Sequence, residues 1–570
     1  MVKQKRSIRS GGTSVLGFML MLWTAAVLHS LPEQQLLYPE DWAYEALSIL
    51  SQEQGVVFFM DSSLTVGQAR SLLNAIDDAA LSPGGRVVYQ RLLDYLKGSS
   101  GITVHSDSLR ADLDGLVQPE LYFKTNPDLP WLYDHHTRKP FFMLPVRISF
   151  RAALTAAMDP YFGENEYAAS LHNNHTNLPW GDVIAQGDVH IPRRAYVSAG
   201  IPFGAASGVH FALGIGDDFF GRTRTGSIIL SEYLERVNYA QLSFYAPGIR
   251  YAAEVMQYEV NKYHYMHYLQ MRPHKRVSFS FTEGAMVNAP LELRYLNPLM
   301  IFHSYEGWKT YDAYNAGQHP DSVPDLDNEG SRVGAFFGAK VEYLPWKHLR
   351  LYGLFAMTQL QLPGELERWE ELLTPDALAF QGGIEVSVAS AKGYWLFGLE
   401  GVYTYPYMYL KEDKGWSYYK EMVEMDRITV RYWTGTPFGP DSIAGTVWGS
   451  YRRQTQAGRW WSLGLSLVVA AQGEKSSTDI FDGTEYQPTP TVQQVVRPPT
   501  GIPTYTYTVT LRGSVAPSPW LLISLEPGYQ FVDNYKHREG RREQGFELSL
   551  SARIQPISAL APLISTRPGK

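Results

Sequence analysis

Two stretches of this chain gather side chains of the types that pack on and hydrogen-bond a polyhydroxylated ligand: Trp308, Tyr311, Asp312, Tyr314 and Asn315 in one, and Trp416, Tyr418 and Tyr419 in the other. Aromatic faces pack on the C–H surfaces of a sugar ring while carboxylates and amides take its hydroxyls, so these are the candidate ligand-binding positions. Tryptophan and tyrosine are also enriched wherever a protein crosses a membrane interface, for reasons of solvation alone, so each residue has an alternative reading as part of an interfacial girdle.

Other chemistry is thinly represented. Ser417-Tyr418-Tyr419-Lys420 fits the S-x-x-K spacing of a serine nucleophile with its lysine, but no Lys-Thr-Gly accompanies it. Gly214-Ile215-Gly216-Asp217-Asp218-Phe219 opens like a dinucleotide fingerprint, yet Phe219 stands where the third glycine belongs. His264 and His267, if they share a strand, point to opposite faces and cannot chelate one metal. His135, His136, His172 and His175 lack further ligands at metal-site spacing. Asp321, Asp325, Asp327 and Glu329 have enough oxygen for calcium but read better as a solvated acidic loop. The expectation is a non-enzyme with no cofactor and no metal, and a net charge of −7 gives no reason to expect nucleic acid as a partner.

The elements that carry these residues show a period of two. In Thr504 to Arg512, Tyr505, Tyr507, Val509 and Leu511 alternate with threonines and Arg512. Val333, Ala335, Phe337, Ala339, Val341 and Tyr343 make a second stripe, and Ile384 to Val388, Trp461 to Val469 and Phe546 to Ile554 make further ones. Tyrosine occurs 37 times and tryptophan 14 times, while mean hydropathy is slightly negative, as expected when half of each strand faces water and aromatic girdles mark two interfaces. The expected fold class is therefore an all-β transmembrane barrel of about 16 to 18 antiparallel strands with a small N-terminal α-helical bundle.

Residues 1–30 carry a basic start (Lys3, Lys5, Arg6, Arg9) and an apolar run from Val15 to Leu28, shorter than the roughly 20 residues a spanning helix needs. They are expected to be a cleaved signal peptide. The absence of cysteine leaves neither a lipid-anchored N-terminus nor a disulfide framework. Residues 31–100 read as a periplasmic helical bundle. Its helices are a first from Asp41 closed by Gly55, a second capped by Thr65 with Gln68 three residues on, and a third opened by Ser82-Pro83 and stopped at Gly98. The barrel is expected over 101–557, with 558–570 as a tail.

Loop lengths orient the barrel. Leu344 to His348, Ser390 to Gly393 and Pro517 to Pro519 read as short periplasmic turns, and 306–331, 362–379, 406–427, 473–503 and 532–544 as long extracellular loops. Strand counting between 406 and 503 comes out one strand wrong for all the long loops to share a side, which points to a misread segment around Thr434 to Ser450.

The leader Pro39-Glu40-Asp41-Trp42-Ala43-Tyr44-Glu45-Ala46-Leu47, with Gly55 and Leu64-Thr65, resembles that of Wzi-type capsule-assembly outer-membrane proteins, and is also similar to one S-layer-homology unit. His210 to Ser231, Phe281-Thr282-Glu283-Gly284, Tyr295-Leu296-Asn297-Pro298-Leu299 and Gly435 to Ser442 resemble further Wzi-type motifs, so the likeness runs over roughly 39 to 445. The resemblance implies an outer-membrane barrel of a diderm bacterium with a lectin-like role in binding or organising capsular or other surface polysaccharide. Outer-membrane lipid would surround it, and residues 39–98 could reach peptidoglycan or plug the barrel mouth. The alternative is a sugar or small-solute porin with a wall-anchoring helical domain.

Overall fold

A computed structural model describes residues 31–98, 101–130, 139–162, 174–177, 192–204, 206–302, 333–360, 375–411, 414–424, 428–454, 459–476 and 496–557. Residues 1–30, expected to be a signal peptide, and 558–570, expected to be a tail, lie outside them. The alternating stripes fold into one antiparallel sheet of 24 strands that closes on itself. Its early strands are short, collinear pieces. Leu109–Leu113 and Leu116–Val117 keep a single register against Val146–Phe150 and Phe142–Met143, and Glu120–Lys124 continues their line. Leu154–Met158 follows and pairs with Ala195–Pro202.

From there each strand pairs with the next until the last, Arg542–Ile554, pairs back onto Glu120–Lys124 and Val117. With collinear pieces merged, the ring has eighteen staves, at the upper end of the expected count. Closure leaves no open edge for the backbone to satisfy inside a bilayer.

Alternation places every other residue outside. On Val333–Tyr343, Phe336, Lys340 and Glu342 are buried inward while Val341 and Tyr343 are exposed outward. Leu463, Leu465, Leu467 and Val469 form the exposed outer stripe of Trp460–Gln472. No helix among the described residues is long and apolar enough to cross a membrane.

The misread segment is resolved by a hairpin. Tyr419–Glu424 and Ile428–Trp433 pair only with each other, in a sheet of their own, and the next stave is Ser442–Gln454. Residues 405–441 are thus one long excursion between two staves, which restores the parity: the long connections after 216, 288, 359, 404 and 472 all leave from one end, and the turns at 247–248, 275–276, 344–348, 391–392 and 519–520 from the other.

The three helices form where the caps place them. They are α1 (Trp42–Gln54), α2 (Val66–Asn74) and α3 (Pro83–Lys97). Gly55 ends α1 at φ 63°, a left-handed conformation that costs glycine nothing. Thr65 and Gln68 make the reciprocal capping box at the start of α2, and Ser82 Oγ accepts from Gly85 N at the start of α3.

Candidate functional site

Two excursions from the long-loop end fold into the lumen. The first, 217–236, carries Phe219, Phe220, Ile228, Ile229 and Leu230, all buried. These are apolar residues in a loop, and they need an enclosed apolar surface. Phe220, Ile228, Ile229 and Leu230 find it against the inward residues Met256, Met266, Met286, Phe336 and Leu354 of the wall and against Met408, Tyr409 and Tyr418 of the second excursion, 405–441, while Phe219 packs into the helical bundle edge-on to Tyr44.

The two excursions are tied together by Ser231 N donating to Thr434 O at 2.8 Å and Tyr409 Oη to Ile228 O at 2.8 Å. Polar wall residues lock the backbone of the first. Glu400 accepts from the amides of Arg224 (2.9 Å) and Thr225 (3.0 Å), from the Thr225 and Tyr352 hydroxyls, and from Gln381 Nε2 at 3.1 Å. Gln381 Oε1 accepts from Ile228 N at 3.1 Å, so buried polar groups of loop and wall satisfy one another.

The helical bundle closes the short-turn end. Trp42 Nε1 donates to Tyr394 Oη at 3.0 Å, and Ser48 Oγ and Gln52 Nε2 each donate to Glu385 at 3.0 Å. Val57 N donates to Lys275 O at 2.7 Å and Arg272 Nη1 to Val57 O at 2.6 Å. Gly84 lies so near the turn after Ala377–Ser390 that a Cβ there would sit 2.3 Å from Ser390 N. Below this contact runs a buried charge chain. Asp61 pairs with Lys340, Lys340 Nζ lies 3.2 Å from Glu342, and Arg350 Nη2 donates to Glu342 at 3.0 Å. Near the leader, burial, with Glu40 adding a like charge, raises the Asp41 carboxyl to about 6. Among the described residues the two excursions and the bundle occupy the lumen from both ends, while inward Arg512, its side chain 54% exposed beside Glu526, faces space they leave uncovered.

The candidate ligand residues divide. Trp308, Tyr311, Asp312, Tyr314 and Asn315 lie outside the described residues, as does the acidic loop from Asp321 to Glu329. The expected presentation of Tyr418 and Tyr419 to solvent is corrected: both are buried. Tyr418 Oη accepts from Met286 N at 3.1 Å and donates to Gly334 O, while Tyr419 meets Trp433 edge-on at 5.5 Å under the Lys262 ammonium. Trp416 is half-buried against the same core. These rings are apolar mass for a loop that had to be packed into a barrel, a role that alternation cannot signal because the loop has no period.

The motifs that imitated catalysis have structural duties. Ser417 Oγ accepts from Lys411 N at 2.9 Å, and Lys420 Nζ donates to the Glu235 and Arg236 carbonyls at 2.8 Å each. Asp217 takes the Arg194 guanidinium at 2.6 Å, and Asp218 accepts from Ser63 Oγ at 3.0 Å. His264 and His267 do point to opposite faces: His264 meets Tyr418 in the lumen and His267 meets Phe302 elsewhere. No group of three or more metal-ligating side chains occurs among the described residues.

No protein-family model matches the chain, and no curated protein sequence matches it. Solved structures do. One, described as Wzi, an outer-membrane protein involved in group 1 capsule assembly in Escherichia coli and a carbohydrate-binding β-barrel, superposes with a TM-score of 0.53 at 12% identity, covering 91% of this chain and 99% of that one. The fold is that of an outer-membrane β-barrel. Pseudomonas aeruginosa OprD (TM-score 0.37, 9% identity, 78% of this chain and 95% of that one) and OccK11 (0.36, 8%, 78% and 96%) are more distant matches to the same barrel.

Proposed function

We propose that this barrel sits in the outer membrane of a diderm bacterium and has a lectin-like role, binding or organising capsular or other surface polysaccharide. The long-loop end faces the exterior and the helical bundle the periplasm. The observation that supports this reading is the packing of the 217–236 excursion, the 405–441 excursion and the helical bundle inside the ring, which takes up lumen that a wide porin leaves to water. The inner wall around Arg512 is the part these segments leave uncovered, and conductance measures whether it carries a path. The long loops are the working surface of a barrel occupied in this way. Trp308, Tyr311, Asp312, Tyr314 and Asn315 are the residues proposed to meet sugar there. The carbohydrate-binding description of the Wzi structure supports the same choice of ligand class.

The test is a pair of measurements. In a planar bilayer the protein lacking residues 1–30 is expected to pass no steady current, and cells expressing the full chain are expected to retain added capsular polysaccharide that cells expressing Trp308→Ala/Tyr311→Ala lose. Stable current blocked by small sugars would replace the reading with a solute porin.

A further inference from the structure

One connection from the long-loop end does not enter the lumen. After the strand Val277–Asn288 the segment 289–302, which contains the short 3-10 turn Leu293–Leu296, folds back over the outside of the wall. The side is fixed by alternation. Along Lys262–His274, His264 meets the lumen residue Tyr418 at 5.4 Å and Met266 joins the lumen core, so Tyr265 and His267 between and beyond them point outward. Along Val277–Asn288, Met286 is in the lumen core and Ala285 and Val287 therefore face out.

Outward residues on the neighbouring staves are exposed or half-buried, such as Phe244, Phe281, Tyr251 and Phe337, but Tyr265, Ala285 and Val287 are fully buried, together with Tyr295 and Phe302 of the segment itself. Tyr295 stacks on Tyr265 at 4.7 Å and 22°, Phe302 lies 4.5 Å from His267, and the Tyr251 hydroxyl donates to Pro298 O. Tyr251 lies in one hydrogen-bonded row with Phe244 and Leu269, and Leu269 pairs with Phe281. Phe244 and Phe281 are exposed on the outer wall.

The depth follows from strand geometry. Going from Glu259, at the long-loop end of its stave, to Tyr251 descends roughly 20 Å at about 3.4 Å per residue and a tilt of about 40°, most of an apolar band about 25 Å tall. The segment's free side carries Leu291, Leu293, Leu296, Leu299 and Ile301, with Leu293 84% and Leu299 85% exposed. Its one opposed charge pair, Arg294 with Glu292 at 2.7 Å, neutralises itself.

We propose that residues 289–302 form a membrane-embedded strap. Its inner face covers the polar outer-wall residues Tyr265 and His267, and its leucines are the surface that lipid acyl chains contact. Acyl chains are the occupant because the strap lies on the lipid face and continues the apolar band on either side of it, and because lipid needs no matching polar groups.

The chain contains no cysteine, so single substitutions label cleanly. Leu293→Cys and Leu299→Cys, spin-labelled and reconstituted in dimyristoylphosphatidylcholine vesicles, are to be compared with Leu465→Cys on the open wall and Glu539→Cys on an exposed loop. Heat-modifiable gel mobility reports folding, and Ile301→Cys replaces either variant that does not fold. The strap labels are expected to collide with oxygen as the Leu465 label does, and severalfold less than the Glu539 label with a water-soluble nickel chelate. Nickel accessibility like that of Glu539 would place the segment in water and overturn the proposal. Spin–spin broadening between molecules, with both reagents excluded, would overturn it by making a second copy the occupant.

Discussion

The two faces of the same staves are built on opposite terms. Outside, Leu463, Leu465 and Leu467 are exposed and need only be apolar. Inside, Lys340, Glu342, Gln381 and Glu400 are buried, and each is committed to named atoms of the helical bundle, the inserted loop or a neighbouring wall residue. The outer face answers to a solvent and tolerates exchange of one hydrophobe for another. The inner face answers to a particular plug, so its residues are polar yet dry and cannot be exchanged singly without stranding a partner.

The largest effect should follow from Lys340→Ala, which leaves Asp61 and Glu342 facing each other across the lumen without their shared cation. Removing one partner of a buried ionic cluster costs about 3–5 kcal/mol. The bundle is expected to loosen from the wall, read as a lower urea midpoint and as proteolysis between α1 and α3 in the folded barrel. On the outer face, Leu465→Arg, near the middle of its stave, should cost about 2–4 kcal/mol. Leu465→Val should change the urea midpoint little. If Leu465→Val and a like-sized interior exchange were equally costly, the contrast between the faces would fail.

What the sequence reveals follows the same division. Stripes such as Val333 to Tyr343 are legible because the lipid face demands an apolar residue at every second position. The caps Thr65, Ser82 and Gly55 are legible because helix ends need specific local chemistry. The excursions 217–236 and 405–441 are not, since a loop packed into a lumen is apolar without period. Tyr418 and Tyr419 therefore looked like exposed rings, and the hairpin Tyr419–Glu424 with Ile428–Trp433 imitated wall strands and upset the strand count. The strap was hidden too, because Leu293 and Leu299 gain their meaning from the outward side of a wall that only the closed ring defines. Of the candidate sugar contacts, the set from Trp308 to Asn315 is a matter of composition alone, and its test is binding.

Glu400→Gln probes the inner face more gently. The carboxylate accepts from two amides and several side-chain donors, and an amide group would turn one donor toward them. The cost should be about 1–3 kcal/mol, concentrated in the excursion. Hydrogen exchange at residues 224–230 should rise while exchange in the staves stays unchanged; uniform loss of protection would mean that wall and plug unfold as one and would erase the contrast.

The smallest effect belongs to Asp41, at the junction of the leader and α1, where Oδ2 accepts from Tyr38 N at 2.7 Å and Oδ1 from Tyr95 Oη at 3.2 Å. Its carboxyl is held near 6, above an unfolded value of about 3.9. Between those values the native chain keeps a proton that the unfolded chain has released, so the stabilisation is full below about pH 4 and is lost as pH rises through 6. Asp41 is half-buried, and screening should limit the loss to about 1 kcal/mol. Asp41→Asn should abolish this decline. Urea midpoints at pH 4, 5, 6 and 7 should converge for the wild type toward lower stability while the variant stays level across that window. A wild type as flat as Asp41→Asn would show that the hydrogen bonds from Tyr38 and Tyr95 offset the burial of this carboxyl, and would extend the inner face's rule of committed partners to the leader.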